Sequence, residues 1–176
     1  MILVDMSNLS ISAMQSACPS GQRVELTEAL IRHVILKRLI ELQKKIGRHH
    51  EMVLCFDSRN YWRKDFFEYY KANRAKNREA EEDNNSFSWD DFYRLYNAFK
   101  VELPFYFNWK CIEVDRVEGD DIIFCISEYL NGKDIIIASS DTDDLQILEK
   151  WPVAAQFSLK TYKYITCEQY KYTLLD

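Results

Sequence analysis

Apolar runs that stop at acidic residues set the rhythm of this chain. Ile2-Leu3-Val4 ends at Asp5, and Met52-Val53-Leu54-Cys55-Phe56 ends at Asp57. Ile112-Glu113-Val114 leads to Glu118-Gly119-Asp120-Asp121. Ile135-Ile136-Ile137-Ala138 leads through Ser139-Ser140 to Asp141-Thr142-Asp143-Asp144. Short apolar runs without alternation predict strands buried on both faces, as in a parallel sheet. The expected strands are Met1 to Val4, Met52 to Phe56, Ile112 to Val114 and Ile135 to Ser139. Shorter ones are expected at Phe105-Tyr106-Phe107, 155–157 and 162–165.

Between the strands the period changes to that of a helix. Thr27 is placed to cap a helix with Leu30, Ile31, Val34, Ile35, Leu39 and Leu42 on one face and Gly47 at its end. Trp89 to Phe99 has helical spacing through Phe92, Leu95, Tyr96 and Phe99, and Pro104 breaks the pattern. Further helices are expected from about Glu118 to Leu130 and from Asp143 to Glu149. After Asp5 the reading is a polar turn, with Cys18-Pro19-Ser20-Gly21 as its breaker. Strands alternating with helices predict an α/β fold with a largely parallel sheet. With no repeat or linker, the 176 residues read as one domain.

Composition adds limits. The chain is 47% hydrophobic and 14% aromatic, which is globular. A net charge of −5 excludes a uniformly basic nucleic-acid binder but not a local patch. Cys18, Cys55, Cys111, Cys125 and Cys167 lack the close spacing of a zinc site and read as reduced thiols of a cytoplasmic protein. No basic leader and no membrane-length apolar run are present, so neither secretion nor a membrane is expected. One local basic patch exists. Arg59, Arg63, Lys64, Lys71, Arg74, Lys76 and Arg78 are interleaved with Tyr61, Trp62, Phe66, Phe67, Tyr69 and Tyr70. A solvated amphipathic helix is the ordinary explanation of such a stretch. The polar run 79–85 that follows has no apolar face and is expected to be mobile.

In an open parallel sheet, ligands collect at the carboxyl ends of the strands. Asp5, Asp57 and Asp141 each follow a strand. Glu118 and Asp121 share a helix face, Asp120 projects at another angle, and Asp141 and Asp143 lie two apart in a turn. Taken singly, each could be a helix cap or a turn residue. Taken together, the carboxylates would repel one another unless a cation offset them. Oxygen ligands without histidine suit Mg²⁺ or Mn²⁺; His33, His49 and His50 lie outside the clusters. Such a site can hold two ions for phosphodiester hydrolysis. Phosphoaspartate chemistry at Asp5 would want an acidic residue two positions later, where Ser7 stands.

Several motifs then occur in one order. They are Phe56-Asp57, Tyr61-Trp62-Arg63-Lys64-Asp65, Tyr70-Lys71-Ala72-Asn73-Arg74, Glu118-Gly119-Asp120-Asp121 and Ser140-Asp141-Thr142-Asp143. Together they resemble the signature of the 5′-nuclease superfamily, the flap endonucleases and polymerase-associated 5′→3′ exonucleases related to PIN domains. Around Tyr61-Trp62-Arg63 and Tyr69-Tyr70-Lys71 the pattern is similar to the ribonuclease H branch of T-even bacteriophages. The resemblance implies a three-layer, PIN-like sandwich. An arch over about 59–100, flexible at 79–88, would pass single-stranded 5′ ends. It implies Asp5, Asp57, Asp121 and Asp141 as primary metal ligands and Asp143 for a second ion. Glu118 and Asp120 would bind metal or its water shell. Lys71 and Arg74 would contact the scissile phosphate, Tyr70 would stack on a base, and Arg63 and Lys64 would bind phosphates.

The implied activity is 5′→3′ exonuclease, flap endonuclease and RNase H cleavage, removing RNA primers or 5′ flaps in phage DNA replication. The implied partners are DNA and RNA–DNA hybrids with 5′ ends or flaps, and a single-strand-binding protein, with the enzyme a monomer. The family also carries a helix–hairpin–helix region with a Gly-Asp-x-x-Asp motif, whereas this sequence runs to Leu174-Leu175-Asp176 without one. Two other readings stay open. One is a PIN-type endoribonuclease. The other is a nucleic-acid-binding fragment inactive without that region.

Overall fold

Strand β1 (Ile2–Asp5) is buried at all four positions and β2 (Met52–Phe56) at all five. Side chains alternate between the faces of a strand, so both faces of these strands must be covered. In the computed structural model, which describes residues 1–18, 23–67, 69–71 and 86–166, they lie at the middle of one sheet. Its strand order is β3-β2-β1-β4-β5-β6. Strands β3 (Lys110–Glu113), β4 (Ile136–Ala138) and β5 (Ala155–Phe157) are parallel to β1 and β2, and β6 (Tyr164–Ile165) is antiparallel to β5. Ile2, Val4, Leu54 and Phe56 pack on one side with α1 (Met6–Ala17), α2 (Glu28–Ile46) and α4 (Trp89–Tyr106). Leu3, Val53, Cys55 and Ile137 pack on the other with α5 (Gly119–Tyr129) and α6 (Leu145–Lys150). This is the expected α/β arrangement of helices on both faces of a mostly parallel sheet.

Strand order decides where a site can form. From β1 the chain adds β2 and β3 on one side, then returns to add β4 and β5 on the other. The order reverses between β1 and β4, and the crevice of such a sheet opens at that point, outside the carboxyl ends of the strands. Asp5 and the 139–143 loop stand there.

Local sequence explains most elements. The Thr27 hydroxyl accepts a bond from the Leu30 N–H at 3.2 Å, and Ile31, Ile35, Leu39 and Leu42 are the buried stripe of α2. Gly47 ends it with φ of 138°, a backbone conformation that favours glycine. Two expectations are corrected. The polar turn after Asp5 is instead helix α1, whose buried Met6, Leu9, Ser10, Ala13 and Met14 have helical spacing hidden by serines. The expected strand at 105–107 is instead the end of α4, which runs past Pro104. Buried Phe99 and Leu103 anchor that last turn, while Phe105 and Tyr106 face solvent; Pro104, with no N–H, forgoes the bond to the Lys100 carbonyl, and the burial of its neighbours keeps the turn helical.

Helix α3 (Arg63–Phe66) is a single turn in the basic stretch. Arg74, the polar run 79–85 and the rest of the 72–85 part of the expected arch lie outside the described residues, as do Cys167 and Leu174 to Asp176. Among the described residues no helix is long and apolar enough to cross a membrane.

Candidate active site

Asp5 closes β1 and opens α1. Its Oδ1 accepts the Asn8 N–H at 2.9 Å, and the Ser139 hydroxyl lies 3.4 Å from Oδ2. The positive end of α1 therefore offsets part of the cost of this buried carboxylate. Asp57 follows β2 and accepts bonds from the Ser7 hydroxyl at 2.8 Å and the Gly119 N–H at 2.7 Å. The second bond pulls the start of α5 against the end of β2. A Cβ on Gly119 would stand 3.2 Å from Asp57 Oδ1 and 3.3 Å from the Cys55 carbonyl oxygen. This close approach puts Asp120 at the cleft.

Asp141 sits on a loop held from three sides. The Gln156 side-chain amide donates to the Ser139 and Asp141 carbonyls at 3.1 and 2.8 Å. Asn8 Oδ1 accepts the Ser140 N–H at 3.1 Å, and Ser139 Oγ accepts the Asp141 N–H at 3.0 Å. Asp141 Oδ1 in turn accepts the Asp143 N–H at 3.0 Å. Ser7, Asn8, Ser139 and Gln156 are site residues that the sequence reading missed. Gln156 left one signal, a polar side chain inside the short strand Ala155–Phe157.

Asp5, Asp57, Asp120, Asp141 and Asp143 line one cleft of about 260 Å³, with Ser7, Asn8, Tyr70 and Lys71 among its other walls. Gathering them has an electrostatic cost. Burial, then the charges of Asp120, Asp144 and Asp57, push the Asp5 carboxyl well up, against the Asn8 bond. Burial and Asp57 push Asp120 up to about 6, with Lys71 opposing. Burial, with Asp120, Asp141 and Asp143, pushes Asp144 up to about 7 despite a bond from Ser139. A divalent cation would remove this repulsion. The all-oxygen donor set fits Mg²⁺ or Mn²⁺. As the side chains stand, no three acidic, histidine or cysteine groups among the described residues close on one point. Asp5, Asp57 and Asp141 are each turned to protein donors instead.

Asp121, expected together with Asp5, Asp57 and Asp141, does not line the cleft. Consecutive helical residues point about 100° apart, and at the start of α5 it is Asp120 that faces the cleft. Asp121 faces Arg63, which donates from Nη2 to Oδ1 at 2.6 Å and from Nη1 to Oδ2 at 2.8 Å. Trp62 Nε1 and the Glu118 N–H donate to Oδ2, each at 3.2 Å. Burial alone would raise Asp121, but the Arg63, Glu118 and Trp62 bonds outweigh it and hold the carboxyl below its ordinary range.

Glu118 stands behind the cleft. It is 1% exposed. Its Oε2 accepts Arg63 Nη1 at 2.7 Å and the Tyr70 hydroxyl at 2.8 Å, and Lys71 donates to its Oε1. Arg63, expected as a phosphate contact, is here engaged with Glu118 and Asp121. Lys64 is exposed, with Nζ 5.2 Å from the centre of the Tyr61 ring. Tyr70 meets Tyr61 edge-on at 6.4 Å, and Lys71 adopts φ of 56°. The stretch of chain that carries these residues is fastened to the loop before α5. Ser58 and Trp62 donate to the Val117 and Arg116 carbonyls, each at 2.9 Å, and Arg116 pairs with Asp65.

Comparison with known proteins gives the same picture. Residues 1–172 match the family described as 5′-3′ exonuclease, N-terminal resolvase-like domain. Ribonuclease H of Enterobacteria phage T4 is 31% identical over 170 residues, covering 93% of this chain and 53% of the relative. Two solved structures from phage T5 share the fold. The 5′-exonuclease with bound divalent metal ions (zinc) has a TM-score of 0.68 at 17% identity, over 94% of this chain and 57% of its own. A variant of the D15 flap endonuclease, in a pseudo-enzyme-product complex with DNA and metal ions, has a TM-score of 0.69 at 16% identity, over 97% and 59%. The chain thus spans a little over half the length of these relatives. It belongs to the family of 5′-3′ exonuclease N-terminal, resolvase-like domains.

Proposed function

We propose that this chain carries the catalytic cleft of a divalent-metal-dependent 5′-nuclease. Its substrates are DNA and RNA–DNA hybrids with 5′ ends or flaps, and its role is primer or flap removal. The observation that supports this reading is that five carboxylates line one cleft together with Lys71 and Tyr70. The T4 relative is named a ribonuclease H and the T5 neighbours an exonuclease and a flap endonuclease. Their names supply the substrate class.

Asp5, Asp57, Asp120, Asp141 and Asp143 are the residues that would hold Mg²⁺ or Mn²⁺. Ions bound there supply an activated water and neutralise charge at the leaving oxygen. The protein's own part is positioning and electrostatics. Gly119, Asn8 and Gln156 fix the backbone on which these carboxylates stand. Lys71 reaches the cleft as a cation for the charge that develops on the scissile phosphate. Tyr70 offers an aromatic face for a terminal base, and Arg74 completes the basic pair. Arg63 and Asp121 hold this basic foot against α5.

Cleavage of 5′-labelled flap and hybrid substrates tests the reading. Turnover with Mg²⁺ or Mn²⁺ and none in EDTA is expected. Turnover that persists in EDTA would overturn it. Binding without turnover in Mn²⁺ would make the chain a nucleic-acid-binding module instead.

A further inference from the structure

Asp144 has no role in the site described above, yet it is 3% exposed and its Oδ2 has no hydrogen-bond partner. It stands at the start of α6 but makes no side-chain cap bond to that helix. Leu145, Ile147 and Leu148, which follow it in the chain, are core residues. A buried carboxylate with an open oxygen is among the costlier groups a fold can carry. It persists where something else satisfies it.

What surrounds Asp144 is acidic. The groups that face it are Asp120, Asp141 and Asp143, and it bears in turn on Asp5. The Ser139 hydroxyl bonds it and also lies beside Asp5 Oδ2. The cations at this end of the cleft are engaged elsewhere, Arg63 by Asp121 and Lys71 by Glu118. Asp144 thus follows Asp143 directly in the chain and stands within electrostatic reach of Asp5, Asp120 and Asp141, with one buried oxygen left over.

We propose that Asp144 belongs to the cation-holding set of the cleft, its open Oδ2 being satisfied by a bound divalent ion or by that ion's water shell. This rests on the nuclease reading of the same cleft and adds a sixth carboxylate to it. An apolar side chain at this position would keep the core and lose the ion. Loss of a group that supports a metal through its ligands or waters lowers affinity about 10- to 100-fold.

The test is Mn²⁺ titration by calorimetry, with thermal unfolding in the absence and presence of Mn²⁺, on the wild-type chain, Asp144→Asn and Asp144→Leu. Both variants should bind Mn²⁺ at least about tenfold more weakly. They should also show a smaller Mn²⁺-induced rise in Tm, while their metal-free Tm equals or exceeds that of the wild type. Wild-type Mn²⁺ affinity in both variants would overturn the proposal while leaving the cation cleft intact. A metal-free Tm lowered in both variants would also overturn it, since Asp144 would then be holding the fold. Failure of the wild-type chain itself to bind Mn²⁺ would remove the cation reading of the whole cleft.

Discussion

Arg63 grips Asp121 with two parallel hydrogen bonds, Nη2 to Oδ1 at 2.6 Å and Nη1 to Oδ2 at 2.8 Å. This fork ties α3 to the first turn of α5. Arg63→Ala and Asp121→Asn should each lower stability by about 1–3 kcal/mol, because the first leaves Asp121 with no cationic partner and the second leaves Arg63 with Glu118 alone. The double variant should lose less than the sum. Arg63→Lys should not restore the loss, since an ammonium cannot form the fork. Urea unfolding of the wild type and the four variants measures this, and simple additivity would refute the coupling.

Gly119→Ala sets two effects against each other. Alanine favours a helix over glycine by about 1 kcal/mol. The added Cβ, however, meets Asp57 Oδ1 at 3.2 Å and the Cys55 carbonyl at 3.3 Å, and backbone cannot give way as a flexible side chain can. Overpacking of this kind costs about 1–3 kcal/mol, so the net change should be a loss. Weaker Mn²⁺ binding should accompany it, because Asp57 and Asp120 shift together. A variant more stable than wild type would show that the contact relaxes freely.

The metal-free chain should lose stability as pH rises. Asp120 is pushed up to about 6 and Asp144 to about 7, mainly by burial. Both carboxyls keep protons in the fold at pH values where the unfolded chain has lost them. Their contribution is fully present below the ordinary carboxylate range near about pH 4. It is lost as pH rises through about 6 and about 7, a change on the order of a few kcal/mol. Thermal unfolding in EDTA from acid to neutral pH follows it directly. Mn²⁺ should reverse the fall, and a metal-free Tm that rises across this range would contradict the prediction.

Lys71→Ala separates the basic group from the carboxylates. With Lys71 gone from Glu118, the cleft becomes more negative, so Mn²⁺ affinity should be unchanged or higher. Cleavage should fall by about 10²-fold or more, as for loss of a group that stabilises charge in the transition state. Calorimetry and single-turnover cleavage read the two effects independently. Equal losses in both would place Lys71 in the fold rather than at the phosphate.

The strands of the core were legible because buried parallel strands write themselves as unbroken apolar runs, and Thr27 and Gly47 marked the ends of α2 by capping chemistry. Helix α1 was not legible, because Ser7, Ser10, Ser12 and Ser16 mask the stripe of Met6, Leu9, Ala13 and Met14. Pro104 looked like a breaker only because sequence does not show that Leu103 pins the last turn of α4. Within the site, Asp5, Asp57 and Asp141 could be placed from their positions after strands. The choice between Asp120 and Asp121 could not, since it turns on where Arg63 lies, 58 residues away in sequence from Asp121. Asp144 was legible only as the last member of the acidic run 141–144, and the unpartnered oxygen that sets it apart exists only in three dimensions.

Mn²⁺ binding by the wild-type chain, Asp120→Asn and Asp121→Asn tests the account at its centre. Calorimetry should show tight binding in the wild type, a loss of about tenfold or more in Asp120→Asn, and near wild-type affinity in Asp121→Asn. No Mn²⁺ binding in the wild type, or a greater loss from Asp121→Asn than from Asp120→Asn, would contradict it.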